Sequence, residues 1–171
     1  MIQKFKEFFD KIEEAAKNPL PITWTKSETE WTGEFSLQEN IYEIKIARPN
    51  PDFNFYYFKF SANGQYKMIS DPTSVFRVVP TIDRAANEFL TEVQPDAMFF
   101  FALDKSEARR MMYDRFCLNF VNMNKQYRYE TREFMEYQCF ILYTESCDTE
   151  RLQSVIGEFS LAWMVSNRNL F

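Results

Sequence analysis

Residues 97–102 read Ala-Met-Phe-Phe-Phe-Ala, apolar at every position and too short for a helix that buries itself all round. A strand with one face in water would alternate apolar with polar side chains. This run does not, so it reads as a central strand covered on both sides. The fold must therefore supply a sheet around it and helices on both faces of that sheet.

The flanking sequence offers both. After the run, Asp104 or Ser106 can cap a helix in "DKSEARRMMYDRF", with Ala108, Met111, Met112, Phe116, Cys117 and Phe120 turned inward. Before it, Val75, Val78, Val79, Ile82, Ala85, Ala86, Phe89, Leu90 and Val93 form a broad helical stripe behind a cap at Thr73 or Ser74. Pro80 lies inside that stripe and either kinks the helix or marks its first turn.

Upstream the period drops to two. Phe35 and Leu37 share one face, as do Tyr42, Ile44 and Ile46, around a tight turn at Glu39–Asn40. Asn63–Gly64 stands between two aromatic segments and readily supplies the positive φ angles of a type I′ hairpin. Residues 34–70 thus read as an antiparallel meander of four strands. An N-terminal helix carries Phe5, Phe8, Phe9, Ile12 and Ala16 on one stripe and ends at "NPLP". Past residue 124, "QYRYETREF" and "YQCFILYTE" read as a closing pair of strands. A last helix turns Leu152, Val155, Ile156, Phe159 and Ala162 inward.

The order is helix, meander, helix, strand, helix, two strands, helix. That is a single α+β domain over residues 1–171, with one mixed, mostly antiparallel sheet and helices on its faces. The helices at 1–17 and 148–165 are candidate interaction elements.

Composition narrows the chemistry. The chain has no histidine, which removes Ser-His-Asp and Cys-His catalysis and imidazole-bound zinc. Cys117, Cys139 and Cys147 form no close metal-type pair and read as reduced thiols of a cytoplasmic protein. No metal site is expected. A net charge of −5 argues against general nucleic-acid binding. No run approaches a membrane span, and acidic residues interrupt the N-terminal apolar positions, unlike a signal peptide.

This order of elements resembles the GCN5-related N-acetyltransferase fold, over about residues 34–143. The segment "SEARRMMYDRF" strengthens the likeness. The family's helix after its fifth strand carries a tyrosine that can protonate the departing coenzyme A thiolate, and Tyr113 matches it. The resemblance implies an acyl-CoA cofactor and Tyr113 as a catalytic general acid. One motif departs from the pattern. The family holds the diphosphate on an Arg/Gln-x-x-Gly-x-Gly/Ala loop, where this chain reads "SDPTSVFRV", with no glycine from Gln65 to Ile156. The string "VFRVVPTIDRAANEFL…PDAMFFFALDKSEARRMMYDRF" also resembles short, mostly uncharacterised proteins of tailed bacteriophages.

Three surfaces stand out. Arg109 and Tyr113, four apart and so on one side of their helix, read either as part of a solvated face or as an anion or partner contact. Ser74 with Arg77 reads as a cap or a second anion contact. Phe5, Phe9, Trp163, Met164, Leu170 and Phe171 leave the terminal helices apolar on several sides, as an interface would. These features, with the missing glycine loop, give the expectation of a non-enzymatic phage-type protein that binds other protein chains. It would act in the host cytoplasm or the virion, as a homo-oligomer and with no cofactor. The alternatives are an acyl-CoA-dependent N-acyltransferase using Tyr113, or a module sequestering an anion or nucleotide.

Overall fold

The computed structural model describes residues 2–65, 72–103, 107–134 and 136–166. Helix α1 (Ile2–Lys17) is followed by strands β1 (Thr23–Lys26), β2 (Glu30–Leu37), β3 (Asn40–Ala47) and β4 (Phe55–Ala62). Next come α2 (Pro72–Val93), β5 (Ala97–Leu103), α3 (Glu107–Met123), β6 (Tyr127–Phe134), β7 (Tyr137–Thr144) and α4 (Thr149–Ser166). The strands form one seven-stranded sheet in the order β1-β2-β3-β4-β5-β7-β6. Every neighbouring pair is antiparallel except β4 and β5, which run parallel. The α+β class and the order of elements agree with the sequence pattern.

β5 is central, and its alternation decides the layers. Met98, Phe100 and Ala102 join a core with α2 and α3, while Ala97, Phe99 and Phe101 join a second core with α4. On the first face Phe89 of α2 meets the rings of Trp31 and Tyr56 at centroid distances of 5.1 and 4.8 Å. On the second, Phe159 lies 4.4 Å from Tyr57 and 5.5 Å from Phe99. Each such side chain removed from water contributes roughly 1.5–3 kcal/mol, so the two aromatic layers hold the sheet from both sides. α1 packs along the outside of α2.

The sheet begins earlier than the pattern indicates, since β1 pairs with β2 through Thr23↔Glu34 to Lys26↔Trp31. Gly33 is what allows this pairing. A Cβ there would lie 2.8 Å from the Trp24 ring, so only glycine lets the indole lie across the strand. The β2–β3 turn falls at Gln38–Glu39, one residue earlier than expected, with Gln38 at φ 57°. Asn63 and Gly64 have φ 51° and 73°, the positive angles expected of a type I′ turn. The second arm of that hairpin, residues 66–70, lies outside the described residues, as do the candidate caps Asp104 and Ser106.

Three helices differ in detail. α2 starts at Pro72, which places Thr73 and Ser74 in its first turn, and it runs through Pro80 unbroken. α3 is rotated from the expected setting: Ala108 and Met111 face water, Met111 at 65% exposure, while Arg109 and Tyr113 face the sheet. In α4, Ala162 is exposed and Trp163 takes the inward place, 5.7 Å from the Phe101 ring and 4.9 Å from Tyr137. Trp163 is therefore a core residue and not an interface group, because the sheet face beneath α4 already supplies aromatic partners for it. The side chains of Phe5, Phe9, Ser74 and Met164, together with residues Leu170 and Phe171, lie outside the described residues.

Candidate functional site: a wedge between two parallel strands

Parallel pairing of β4 with β5 runs from Phe55↔Ala97 to Phe58↔Phe100 and stops there. β4 nevertheless continues to Ala62 on the arm of β3, and β5 to Leu103 on the arm of β7. The two strands part at the middle of the sheet. Their inner edges, Lys59–Ala62 and Phe101–Leu103, flank a wedge. Past Phe58↔Phe100 the two strands share no ladder pair, and part of the β4 edge is taken by other partners: Ala62 exchanges backbone hydrogen bonds with Gln65 at 2.9 and 3.0 Å, and the Phe60 carbonyl accepts from Arg109. The parallel strands end on this side, and the chain next forms α2 and α3, so both helices begin from the wedge end of the sheet and turn their positive dipole ends that way.

α3 supplies the side chains at the wedge. Residues 109, 112, 113, 116, 117 and 120 repeat at three- and four-residue intervals, and all six are buried. The stripe begins with Arg109, only 1% exposed, whose Nη1 donates to the carbonyl oxygen of Phe60 at 3.2 Å. The same guanidinium lies 3.9 Å from the centroid of the Phe60 ring, in cation–π contact. One turn on, Tyr113 is 2% exposed, with its ring 5.0 Å from Phe100, 5.7 Å from Phe140 and 6.4 Å from Phe60. Arg109 and Tyr113 do share one side of the helix, but that side faces the wedge and not water.

The other candidates fall elsewhere. Arg77 is exposed on α2, and its carbonyl accepts the Thr81 hydroxyl at 2.8 Å. One arginine is sealed and the other is in solvent, so Arg77 and Arg109 do not form a single open anion site. The same two helices are tied by Arg115, whose Nη2 donates to Asp83 Oδ2 at 3.1 Å. Below Arg115, a groove of about 620 Å³ between α2 and α3 is lined by Val79, Ala108, Met111, Met112 and Leu118, with Asp114, Arg115 and Asn119 at its polar parts.

The thiols offer no nucleophile. Burial pushes Cys117 and Cys139 well above the ordinary thiol value, and Cys147 up to about 11, so all three are protonated at neutral pH. No disulfide joins them. Among the described residues no group of three or more potential metal ligands occurs, and no helix is long and apolar enough to cross a membrane.

Two features of the site escaped the sequence reading, the Phe60 carbonyl and the inward arginine. A signal for Arg109 existed. The set 109, 112, 113, 116, 117, 120 fits helical spacing better than a set starting at Ala108, and its only charged member is the first. The Phe60 carbonyl left no such trace, because backbone groups carry none.

The chain is distantly similar in fold to solved structures. A variant of the spermidine N-acetyltransferase SpeG from Vibrio cholerae is similar over 84% of this chain and 75% of its own, with a TM-score of 0.43 and 10% identity. The N-acetyltransferase PseH of Campylobacter jejuni is similar over 84% of this chain and 82% of its own, with a TM-score of 0.42 and 7% identity. These are likenesses of fold. No family model and no curated protein matches the sequence.

Proposed function

We propose that the chain is an acyl-CoA-dependent N-acyltransferase that takes the thioester arm of its cofactor into the β4–β5 wedge. The observation that carries this reading is the end of β4–β5 pairing at Phe58↔Phe100, with Tyr113 facing the parted strands. The donor set suits the arm. Its two amides are chemically the same groups as a peptide backbone, and could pair with strand-edge groups beyond the last β4–β5 pair in exchange for bonds such as that of Arg109 to the Phe60 carbonyl. When bound, the cofactor supplies an acyl group activated as a thioester.

The chain's own residues divide the work. The diphosphate has no glycine loop to approach, so its charge falls to Arg77 near the start of α2 and to the dipole of that helix. The Tyr113 hydroxyl lies on the stripe that faces the wedge and serves as the acid that protonates the departing thiolate. With no imidazole in the chain, the acceptor amine loses its proton to a carboxylate or to water. Acetyl transfer from acetyl-CoA to a panel of primary amines and lysine peptides tests the reading. Turnover is expected in the full chain and its loss in Tyr113→Phe, with the near-UV spectrum unchanged. Equal turnover in that variant removes Tyr113 from the chemistry.

A second reading has its own observation. Met111 at 65% and Leu118 at 47% exposure are the large apolar side chains that α3 leaves in water beside the apolar groove. A phage-type protein that binds protein chains, another copy of itself included, would use such a face. Met111→Glu with Leu118→Glu separates the two readings. It abolishes self-association or partner capture if the face is an interface and leaves acyl transfer intact if the wedge is the site.

A further inference from the structure

β6 forms one margin of the sheet, and among the described residues no strand lies beside its outer edge. The direction of its backbone groups follows from one contact. Glu145 N–H donates to the Gln126 carbonyl oxygen at 3.3 Å, which continues the ladder with β7. Hydrogen-bonded residues alternate along an antiparallel strand, so Arg128, Glu130, Arg132 and Phe134 address β7. Tyr129, Thr131 and Glu133 therefore turn their N–H and C=O groups outward, and Thr131 and Glu133 are exposed.

Sheets usually blunt such an edge with a short strand, a bulge, a proline or lysines. The opposite margin follows that rule, since β1 has four residues and ends on Lys26. β6 does not. It has eight residues, YRYETREF, with no proline or lysine, and pairs with β7 without a bulge from Tyr127↔Thr144 to Phe134↔Tyr137. The strand is also held in place. The Tyr127 hydroxyl donates to the Pro95 carbonyl oxygen at 2.8 Å, and the Tyr129 hydroxyl to Asp114 Oδ1 at 2.6 Å. An edge fixed in this way loses little freedom on pairing.

The charges decide what pairs with it. Arg128, Glu130 and Arg132 alternate in sign along one face of β6, and Arg132 Nη2 donates to Glu130 Oε1 at 3.1 Å. Two copies of the strand laid antiparallel, edge to edge, bond only in registers that set outward residues on outward residues. The register about Glu130 sets Glu130 on Glu130 and Arg128 on Arg132, like charges in each case. The register about Thr131 sets Glu130 on Arg132, repeated by symmetry, and Thr131 on Thr131, both favourable cross-strand pairs. It overlaps residues 128–134, where the other complementary register, about Tyr129, overlaps only 127–131.

We propose that β6 is a self-association edge: two copies of the chain pair antiparallel about Thr131, which joins their sheets into one and closes a two-fold dimer. Thr131↔Thr131 and Tyr129↔Glu133 exchange backbone hydrogen bonds across the axis, and Glu130 and Arg132 of the two copies form a ring of alternating charge. The dimer does not depend on the acyl-transfer reading, and it uses a different surface from Met111 and Leu118.

Sedimentation equilibrium on the full chain tests this. At ~100 μM, well above a micromolar dissociation constant, the parent should have the mass of a dimer. Thr131→Pro removes an N–H that β7 does not use and sets a ring where the second copy would bond, so it should be a monomer with the parent's near-UV spectrum. If that variant does not fold, charge reversal serves in its place. Glu130→Arg should weaken association on the order of tenfold, because both symmetry-related pairs become repulsive, and adding Arg132→Glu should restore it. A parent that is monomeric at ~100 μM overturns the proposal, as does a dimer unchanged in folded Thr131→Pro or in Glu130→Arg. Association that stays weak in the double charge variant overturns the register. A dimer lost only in Met111→Glu with Leu118→Glu overturns the proposal as well and moves the contact to α3.

Discussion

Asp83→Asn should make the protein more stable at neutral pH, against the intuition that breaking an ion pair is harmful. Asp83 links α2 to α3 through Arg115 at 3.1 Å, with side-chain exposures of 28% and 53%. Burial pushes the Asp83 carboxyl from 3.8 up to about 6, and the opposing pull of the Arg115 charge and its hydrogen bond is the smaller effect. The sign follows directly. Between about pH 4 and pH 6 the folded chain holds a proton that the unfolded chain has released, so stability falls as pH rises through that window and is level above it. The gap from 3.8 to about 6 corresponds to roughly 3 kcal/mol at ~1.36 kcal/mol per pH unit. Partial exposure of the pair reduces this to about 1–2 kcal/mol.

Asparagine mimics the protonated carboxyl, so the variant should match the parent within ~0.5 kcal/mol near pH 4 and exceed it by about 1–2 kcal/mol at pH 7.5. Urea unfolding followed by tryptophan fluorescence at both pH values reads this difference directly. A parent more stable than Asp83→Asn at pH 7.5, with the advantage vanishing at pH 4, would refute the reasoning. It would show that Arg115 outweighs the cost of burying the charge.

Two further substitutions probe the packing. Gly33→Ala forces the Trp24 ring off the strand, since the new Cβ would lie 2.8 Å from it, and should cost about 1–3 kcal/mol in urea unfolding. Trp163→Ala empties a place between Phe101 and Tyr137 and should cost about 3–5 kcal/mol, while light scattering finds the same mass in both forms because Trp163 faces its own sheet.

These positions also show what a sequence can and cannot reveal. β5 was legible because six consecutive apolar residues leave no solvent face, and the closing strands and α2 were legible from their periods. The class and order of elements followed from those. The rotation of α3 was misjudged because Arg109 was counted among solvent residues, and an arginine on an apolar stripe looks like an interruption until the Phe60 carbonyl that receives it is known. Trp163 was misjudged for a related reason. An apolar residue near a terminus reads as surplus when the aromatic face beneath it, built from Phe101 and Tyr137 far away in sequence, has not yet been placed. The wedge itself could not have been read, since it is a point where backbone pairing stops. The pairing of β4 with β5 is set by where each strand is held on its outer side, and no residue type marks its end.

Calorimetric titration of acetyl-CoA into the full chain tests the wedge most directly, with coenzyme A and pantetheine titrated alongside. The account predicts a single site of micromolar affinity, weaker for pantetheine because Arg77 and the start of α2 then have no diphosphate to meet. Protection of the backbone amide of Phe60 from hydrogen exchange in the loaded protein would place the ligand along β4. Heat without protection there would put the ligand elsewhere, and no heat at ~1 mM acetyl-CoA would contradict the account at its centre.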